Sequence, residues 1–151
     1  MSGGSELHPL APSQLAAAAP DADIWLSASA GTGKTQVLTA RVIRLLLSDR
    51  VRPENLLCIT FTKAGAAEMA ERINKLLARW VQLDDIALFK ELEAIGAPSG
   101  PQARERASQL FASVLDAPGG RIHDTFHLQP LDPRDAAFTT ELASGTLRWR
   151  G

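Results

Sequence analysis

The stretch Ala28-Ser29-Ala30-Gly31-Thr32-Gly33-Lys34-Thr35 decides how this sequence of 151 residues is interpreted. Glycines at positions 31 and 33 let the backbone curl until successive N–H groups converge on phosphate oxygens. Lys34 can then reach the β and γ phosphates of a nucleotide, and the Thr35 hydroxyl can bind Mg²⁺. The usual pattern begins with glycine where this sequence has Ala28, a small departure if that residue keeps a negative φ. The stretch predicts a site for a nucleoside triphosphate, most simply ATP.

The segments on either side of this stretch, called the phosphate loop below, have the pattern of a strand followed by a helix. Residues 23–28 form a short apolar run that predicts a buried strand leading into the glycines. Between residues 34 and 47 the apolar residues at helical spacing are Leu38, Val42, Leu45 and Leu46. The amino end of such a helix is partially positive, which favours an anion at the loop. Upstream, Ser13 is the candidate N-cap of a short Ala-rich helix.

Further strands and helices follow along the chain. Residues 56–61 form a second continuous apolar run, which predicts a strand buried on both faces of a parallel sheet. The next helix has an apolar stripe made of Ala66, Met69, Ile73, Leu76 and Trp80. Two more helices are predicted over 84–95 and 102–115, the second with Pro101 at its first position, and 121–127 is a candidate third strand. This order indicates an α/β fold, with a parallel sheet flanked by helices.

The composition is that of a globular domain and excludes a uniformly basic nucleic-acid binder. Hydrophobic residues make up 45% of the chain, charged residues 22%, and the formal net charge is −1. Residues 41–81 nevertheless hold eight basic and four acidic residues, a local net charge of +4. Two interpretations stay open for this excess, which are the solvated faces of helices or part of a track for a phosphate backbone.

The single cysteine and the absence of long apolar runs set expectations about the compartment. One thiol, Cys58, cannot form a disulfide framework, and we expect it to be a small core hydrophobe in a reducing compartment. No apolar run approaches the roughly 18–20 residues that span a bilayer. We therefore expect a cytoplasmic protein with no membrane partner.

Hydrolysis of a triphosphate needs more than the phosphate loop, because a carboxylate at the end of a neighbouring strand must hold Mg²⁺. No run of four apolar residues in this sequence is followed by Asp or Asp-Glu. We therefore expect Lys34 and Thr35 to be the catalytic-site residues that this chain contains. We also expect the chain to bind a nucleotide but to hydrolyse it at a negligible rate. A GTPase is disfavoured because Thr62-Lys63-Ala64-Gly65 lacks the acid of a guanine-reading motif. A small-molecule kinase is disfavoured because the late arginines are dispersed, at Arg104, Arg106 and Arg121.

Two motifs together resemble the opening motifs of the UvrD/Rep-like superfamily-one DNA helicases. The first is the phosphate loop with Gln14 upstream of it. The second and more specific one is Ile59-Thr60-Phe61-Thr62-Lys63-Ala64-Gly65-Ala66-Ala67-Glu68-Met69. Within the family, the run is most similar to the AddA helicase–nuclease proteins of bacterial double-strand break repair. The resemblance covers residues 8–123 and implies a P-loop NTPase (RecA-like) fold, incomplete here, with ATP and Mg²⁺ as cofactors.

The resemblance also implies roles for individual residues. Gln14 would read the adenine edge, since an amide both donates and accepts hydrogen bonds. Gln36 is a further candidate nucleotide-binding residue, at a position where many members carry Arg. The implied contacts to single-stranded DNA, by ring stacking and phosphate binding, are Thr60, Phe61, Thr62 and Lys63. Simpler interpretations stay open, namely a surface glutamine at 14, a core Phe61 and a helix N-cap at Thr62.

The last part of the sequence departs from the family pattern. Asp124-Thr125-Phe126-His127 resembles the next DNA-contacting motif, which makes His127 a candidate contact, but residues 128–130 do not continue it. Residues 131–137 resemble a segment that members carry further downstream, so we expect a deletion or a frameshift. The expected division is a disordered terminus over 1–7, a helicase ATP-binding portion over 8–127 and an irregular tail over 128–151.

The sequence thus predicts the ATP-binding N-terminal portion of an ATP-dependent DNA helicase of double-strand break repair and recombination. The partners that the resemblance implies are single-stranded DNA and a second helicase–nuclease protein similar to AddB. The alternative is a nucleotide-binding module, or decayed fragment, that does not hydrolyse ATP.

Overall fold

Helices make up most of the chain that the computed structural model describes, which is residues 8–27, 29, 31, 33–49, 51–60, 62–116 and 127–130. In chain order, the elements are α1 (Pro12–Ala17), α2 (Lys34–Leu46), a short 3₁₀ helix (Pro53–Asn55), β1 (Leu57–Thr60), α3 (Lys63–Gln82), α4 (Asp85–Ala94), α5 (Pro101–Asp116) and β2 (His127–Pro130). The four longer helices predicted from the sequence are therefore confirmed. The predictions for residues 1–7 and 131–151 lie outside the described residues, whereas residues 128–130, expected to begin an irregular tail, lie in strand β2.

The core lies where α2, α3 and α4 meet, with α5 packed along α3. Its largest fully buried side chains include Trp80, Ile43, Ile73, Leu88 and Leu92. The indole N–H of Trp80 donates to Glu91 Oε2 at 2.7 Å, and Glu91 also pairs with Arg79. This buried indole is therefore satisfied, as a large aromatic residue with a polar group requires.

The two strands form a parallel pair. Leu57 lies opposite His127 and Thr60 opposite Pro130. Of the candidate third strand over 121–127, the described residues include His127, which is the first residue of β2; residues 121–126 lie outside the described part. Helix α3 contacts both strands. The parallel arrangement agrees with the α/β prediction, whereas the wider sheet flanked by helices stays a prediction.

Two predictions about strands were wrong. Residues 23–27 form no strand, and Trp25 is 88% exposed with Ile24 and Leu26 partly exposed beside it. An apolar run becomes a strand only when another strand pairs with it, and among the described residues none pairs with 23–27. Strand β1 is not buried on both faces either, because Leu57 and Ile59 are 58% and 56% exposed. Helix α3 contacts this strand, and no described element covers these two side chains.

Two details of the helices also differ from prediction. The N-cap of α1 is Ala11 rather than Ser13, and Pro12 is the first residue of the helix. The Gln14 side chain accepts the Ala11 N–H at 2.9 Å, so it satisfies the amide that a capping arrangement must satisfy. In α2, Leu38 is exposed because the buried face is centred on Val37, Ala40 and Ile43.

Candidate functional site

The phosphate loop has the backbone that its two glycines predict. Gly31 has φ +79° and Gly33 has φ +82°, a region that only glycine adopts without strain. Gly33 is the N-cap of α2, and as a glycine it offers no side chain to cap this helix end. Among the described residues, no heavy atom lies within 4 Å of the position where a Cβ of Gly31 would lie. This amino end of a 13-residue helix fits an anion such as a phosphate group. Ala28, Ala30 and Thr32 lie outside the described residues.

Lys34 and Thr35 are the first two residues of α2, and both are exposed beside the exposed Ser29 and Gly31. The Thr35 carbonyl accepts a hydrogen bond from the buried Thr39 hydroxyl at 2.8 Å. That hydroxyl also lies 3.6 Å from the sulfur of Met69 on α3. The first turn of α2 is thereby fixed against the core while its polar side chains face outward.

The structure brings Gln14 to the phosphate loop. Its Nε2 lies 3.2 Å from the position that a Cβ of Gly33 would occupy, and Gln36 Oε1 lies 3.9 Å from the same point. The Gln36 Nε2 donates to the His8 carbonyl at 2.6 Å. Both interpretations of Gln14, as a surface glutamine and as a contact to adenine, therefore stay open.

Arginine side chains attach α1 to α2. Arg41 donates to the carbonyls of Ala17, Ala19 and Ala22, and Arg44 donates to that of Leu15 at 3.1 Å. Burial lowers the pKa of Arg44, although nearby Asp21 opposes this. In the sequence, the only feature that marked Arg41 and Arg44 was their position between the apolar residues of a predicted helix.

Most of the basic residues in 41–81 form hydrogen bonds or ion pairs within the protein. Besides Arg41 and Arg44, three basic residues of α3 have acidic partners, in the pairs Arg72–Glu68, Lys75–Glu71 and Arg79–Glu91. The first two are exposed i,i+4 pairs of the kind that supports a helix weakly. The pairing favours helix faces over a continuous track for a phosphate backbone.

The second motif begins where β1 ends. Thr62 is the N-cap of α3, and its hydroxyl accepts the Gly65 N–H at 3.0 Å. The interpretation of Thr62 as a helix cap is therefore confirmed. Lys63, the first residue of α3, is exposed, and Thr60 is half-buried. Phe61 lies outside the described residues, so both interpretations of its ring remain open.

A cavity of about 220 Å³ connects the two motifs. Its lining comes from the start of α2, from β1 and from the start of α3, and includes Thr35, Cys58, Thr60, Gly65 and Glu68. Burial raises the pKa of the Cys58 thiol, which keeps it protonated and agrees with its prediction as a small hydrophobic residue. Thr35 and Thr60 therefore border one cleft although they are 25 positions apart in the sequence.

His127 does not lie beside Thr60. The parallel register places it opposite Leu57, at the other end of the strand pair. A larger cavity of about 620 Å³ is also remote from the phosphate loop, since its lining includes Leu47, Asp49 and Pro98 but no residue of that loop. The residues in described positions include no group of three or more His, Cys, Asp or Glu that could hold a metal.

Comparisons with known proteins agree with the paired motifs. Residues 10–122 match the family model described as the UvrD/REP helicase N-terminal domain. An ATP-dependent helicase/nuclease of the AddA type from Syntrophomonas wolfei is 37% identical over 76% of this chain and 9% of its own length. One of the same name from Lactobacillus gasseri is 33% identical over 85% of this chain and 10% of its own. A probable DNA helicase II homolog from Rickettsia conorii is 43% identical over 47% and 11%, respectively.

The chain thus spans about a tenth of the length of the curated relatives it matches. No solved structure has a significant match to it. Among the helices of the described residues, none is both long and apolar enough to cross a membrane.

Proposed function

Because the chain belongs to the UvrD/REP helicase N-terminal domain family, we propose that it binds Mg·ATP at the phosphate loop as the first portion of an ATP-dependent DNA helicase. The observation that carries the proposal is the amino end of α2. Two glycines with positive φ lead into it, Gly33 caps it, and Lys34 and Thr35 are exposed on its first turn. Backbone amides, a lysine and a hydroxyl are the groups that bind the phosphates and magnesium of a nucleotide.

Each residue of the proposed site then has a role in binding the nucleotide. The amides of the phosphate loop would surround the phosphates, Lys34 would contact the β and γ phosphates, and the Thr35 hydroxyl would hold Mg²⁺. Gln14 lies beside Gly33 and would contact the adenine edge. The bound magnesium would neutralise phosphate charge, whereas the residues of this chain hold and orient the nucleotide.

The proposed DNA-binding surface lies where β1 ends and α3 begins. Thr60, Phe61 and Lys63 would contact single-stranded DNA. The Thr62 hydroxyl already accepts the Gly65 N–H as the cap of α3, so it would contact DNA only through its remaining hydrogen-bonding capacity. The cavity shared by Thr35 and Thr60 supports a link between nucleotide and DNA. The resemblance of the two motifs to the AddA-like helicases implies that the process would be double-strand break repair and recombination, with a second protein similar to AddB. His127 is a weaker candidate contact because it lies at the other end of the strands.

The second candidate function is nucleotide binding without turnover. It is favoured by one observation, which is that no acidic residue directly follows an apolar strand run in this sequence. In the cavity beside Thr35, the one carboxylate among the lining residues is Glu68, which is exposed and pairs with Arg72 at 3.5 Å. Separate measurements of ATP binding and ATP hydrolysis therefore distinguish the two candidate functions.

The binding experiment is a calorimetric titration of the purified chain with ATP in the presence of Mg²⁺. We expect Lys34→Ala to weaken binding about ten- to a hundredfold, since a charge-assisted contact contributes about 1.5–3 kcal/mol. Lys90→Ala is the matched control, because Lys90 is an exposed lysine of α4. Equal affinity of Lys34→Ala and the wild-type chain would refute the site.

The hydrolysis experiment measures phosphate release with and without single-stranded DNA. We expect negligible turnover from this chain, and robust DNA-stimulated turnover would instead exclude the binding-only function. In parallel, anisotropy of a labelled oligonucleotide tests the DNA surface. Lys63→Ala should weaken DNA binding more than Lys75→Ala, because Lys75 already pairs with Glu71 at 2.6 Å. Equal effects would place the DNA elsewhere.

A further inference from the structure

The segment before α1 is held at three points, one of which is Gln36. The Gln36 side chain on α2 donates its Nε2 hydrogen to the His8 carbonyl at 2.6 Å, across 28 positions of sequence. The Leu10 N–H donates to the Ala94 carbonyl at the end of α4, at 3.0 Å. The Ala11 N–H donates to Gln14 Oε1 at 2.9 Å. Leu10 itself is buried.

This arrangement determines how Gln14 faces the phosphate loop. Because its Oε1 accepts the Ala11 N–H, its Nε2 is the amide atom that lies 3.2 Å from the Cβ position of Gly33. A displaced Ala11 would release that oxygen and let the amide rotate. The direction of the Gln14 amide therefore depends on where residues 8–11 lie.

Helix α2 holds the rest of α1 separately. Arg41 and Arg44 donate to carbonyls from Leu15 to Ala22, which are on the far side of Gln14 from His8. Gln36 of α2 thus holds the segment preceding α1 through its hydrogen bond to the His8 carbonyl. Its amide nitrogen points to His8 rather than to the phosphate loop.

We propose that Gln36 is a positioning residue for the base side of the nucleotide site, acting through the His8 carbonyl on the orientation of Gln14. The inference rests on the proposed binding of ATP at the phosphate loop. Under this proposal the site has two kinds of contact. The glycines, the lysine and the threonine of the phosphate loop hold the phosphates, whereas Gln36 affects only recognition of the base. A ligand with phosphates and no base distinguishes them.

The experiment compares ATP with inorganic tripolyphosphate, both titrated with Mg²⁺ into the full chain. Gln36→Met keeps the length of the side chain and removes the donor. We expect it to weaken ATP binding about three- to tenfold, the effect of one neutral hydrogen bond, and to leave tripolyphosphate binding unchanged. Gln36→Lys restores a donor and should return the ratio of the two affinities toward the wild-type value. His8→Ala is the control, because the contact uses the backbone carbonyl, and it should bind ATP like the wild type.

The outcomes are separable. A wild-type chain that binds neither ligand would refute the proposed function, and this inference with it. If the wild type binds both ligands, an unchanged ATP affinity in Gln36→Met would overturn the inference alone. An equal loss for ATP and tripolyphosphate would also overturn it, since Gln36 would then act on the phosphates or on the loop as a whole.

Discussion

Replacing Gly65 by alanine tests the geometry at the junction of β1 and α3. A Cβ at this position would lie 2.9 Å from Thr60 Oγ1 and 3.1 Å from Thr62 Oγ1. The first distance is shorter than real contacts of a Cβ, so Thr60 must move. The second oxygen has little freedom, because it accepts the Gly65 N–H as the cap of α3.

Two opposing terms set the magnitude. Alanine in place of glycine stabilises a helix by at most about 1 kcal/mol, and less in a first turn. Overpacking of a crowded position costs about 1–3 kcal/mol. We therefore expect Gly65→Ala to lower the free energy of unfolding by about 1–2 kcal/mol. For a chain of this length, the midpoint of thermal unfolding should fall by about 2–8 °C.

The background Thr60→Ala decides whether this reasoning is right. It removes the nearest oxygen, and the remaining contact at 3.1 Å needs a shift of only a few tenths of an ångström. Adding Gly65→Ala to Thr60→Ala should be neutral or stabilising, measured by urea unfolding followed by circular dichroism. If Gly65→Ala has the same effect in both backgrounds, within about 0.5 kcal/mol, the close approach of Thr60 to Gly65 is refuted.

Three further perturbations test other contacts. Thr62→Ala should lower the free energy of unfolding by about 1 kcal/mol through loss of the α3 cap, whereas Thr62→Ser should not, and equal stability of the two variants would contradict the cap. Cys58 should react with iodoacetamide at pH 8 more slowly in the native chain than in urea, because burial raises its pKa and lowers the thiolate fraction; equal rates would contradict its burial. Arg41→Met should destabilise the chain by about 1.5–3 kcal/mol and increase proteolysis near Ala19 and Ala22, with the exposed Arg52→Met as control; equal cleavage of both variants would exclude this role for Arg41.

The helices were predictable because their determinants are local. The stripe from Ala66 to Trp80 has one period throughout, and all five of its predicted members are buried in α3. Asp84 caps α4 by accepting the Ala87 N–H at 2.8 Å, and Pro101 begins α5. Each of these signals lies within a few positions of the helix end that it sets.

The strands and the site contacts depend on residues far apart in sequence. Whether 23–27 becomes a strand, and whether Leu57 and Ile59 are covered, is decided by partners that an apolar run does not specify. The backbone carbonyls that accept hydrogen bonds from Arg41 and Gln36 likewise cannot be predicted from a pattern of side chains. The phosphate loop was recognisable because its glycines, lysine and threonine are adjacent, whereas the approach of Gln14 to Gly33 was implied only by the family resemblance.

Hydrogen–deuterium exchange of the chain with and without saturating Mg·ATP tests the central claim most directly. ATP should slow amide exchange at the amino end of α2, over residues 31–37, and at residues 8–15, which contain Gln14. Exchange in α4, Asp85–Ala94, should stay unchanged as an internal reference. Binding of ATP that leaves residues 31–37 unprotected, or protects residues 96–103 at the larger cavity instead, would contradict the assignment of the phosphate loop.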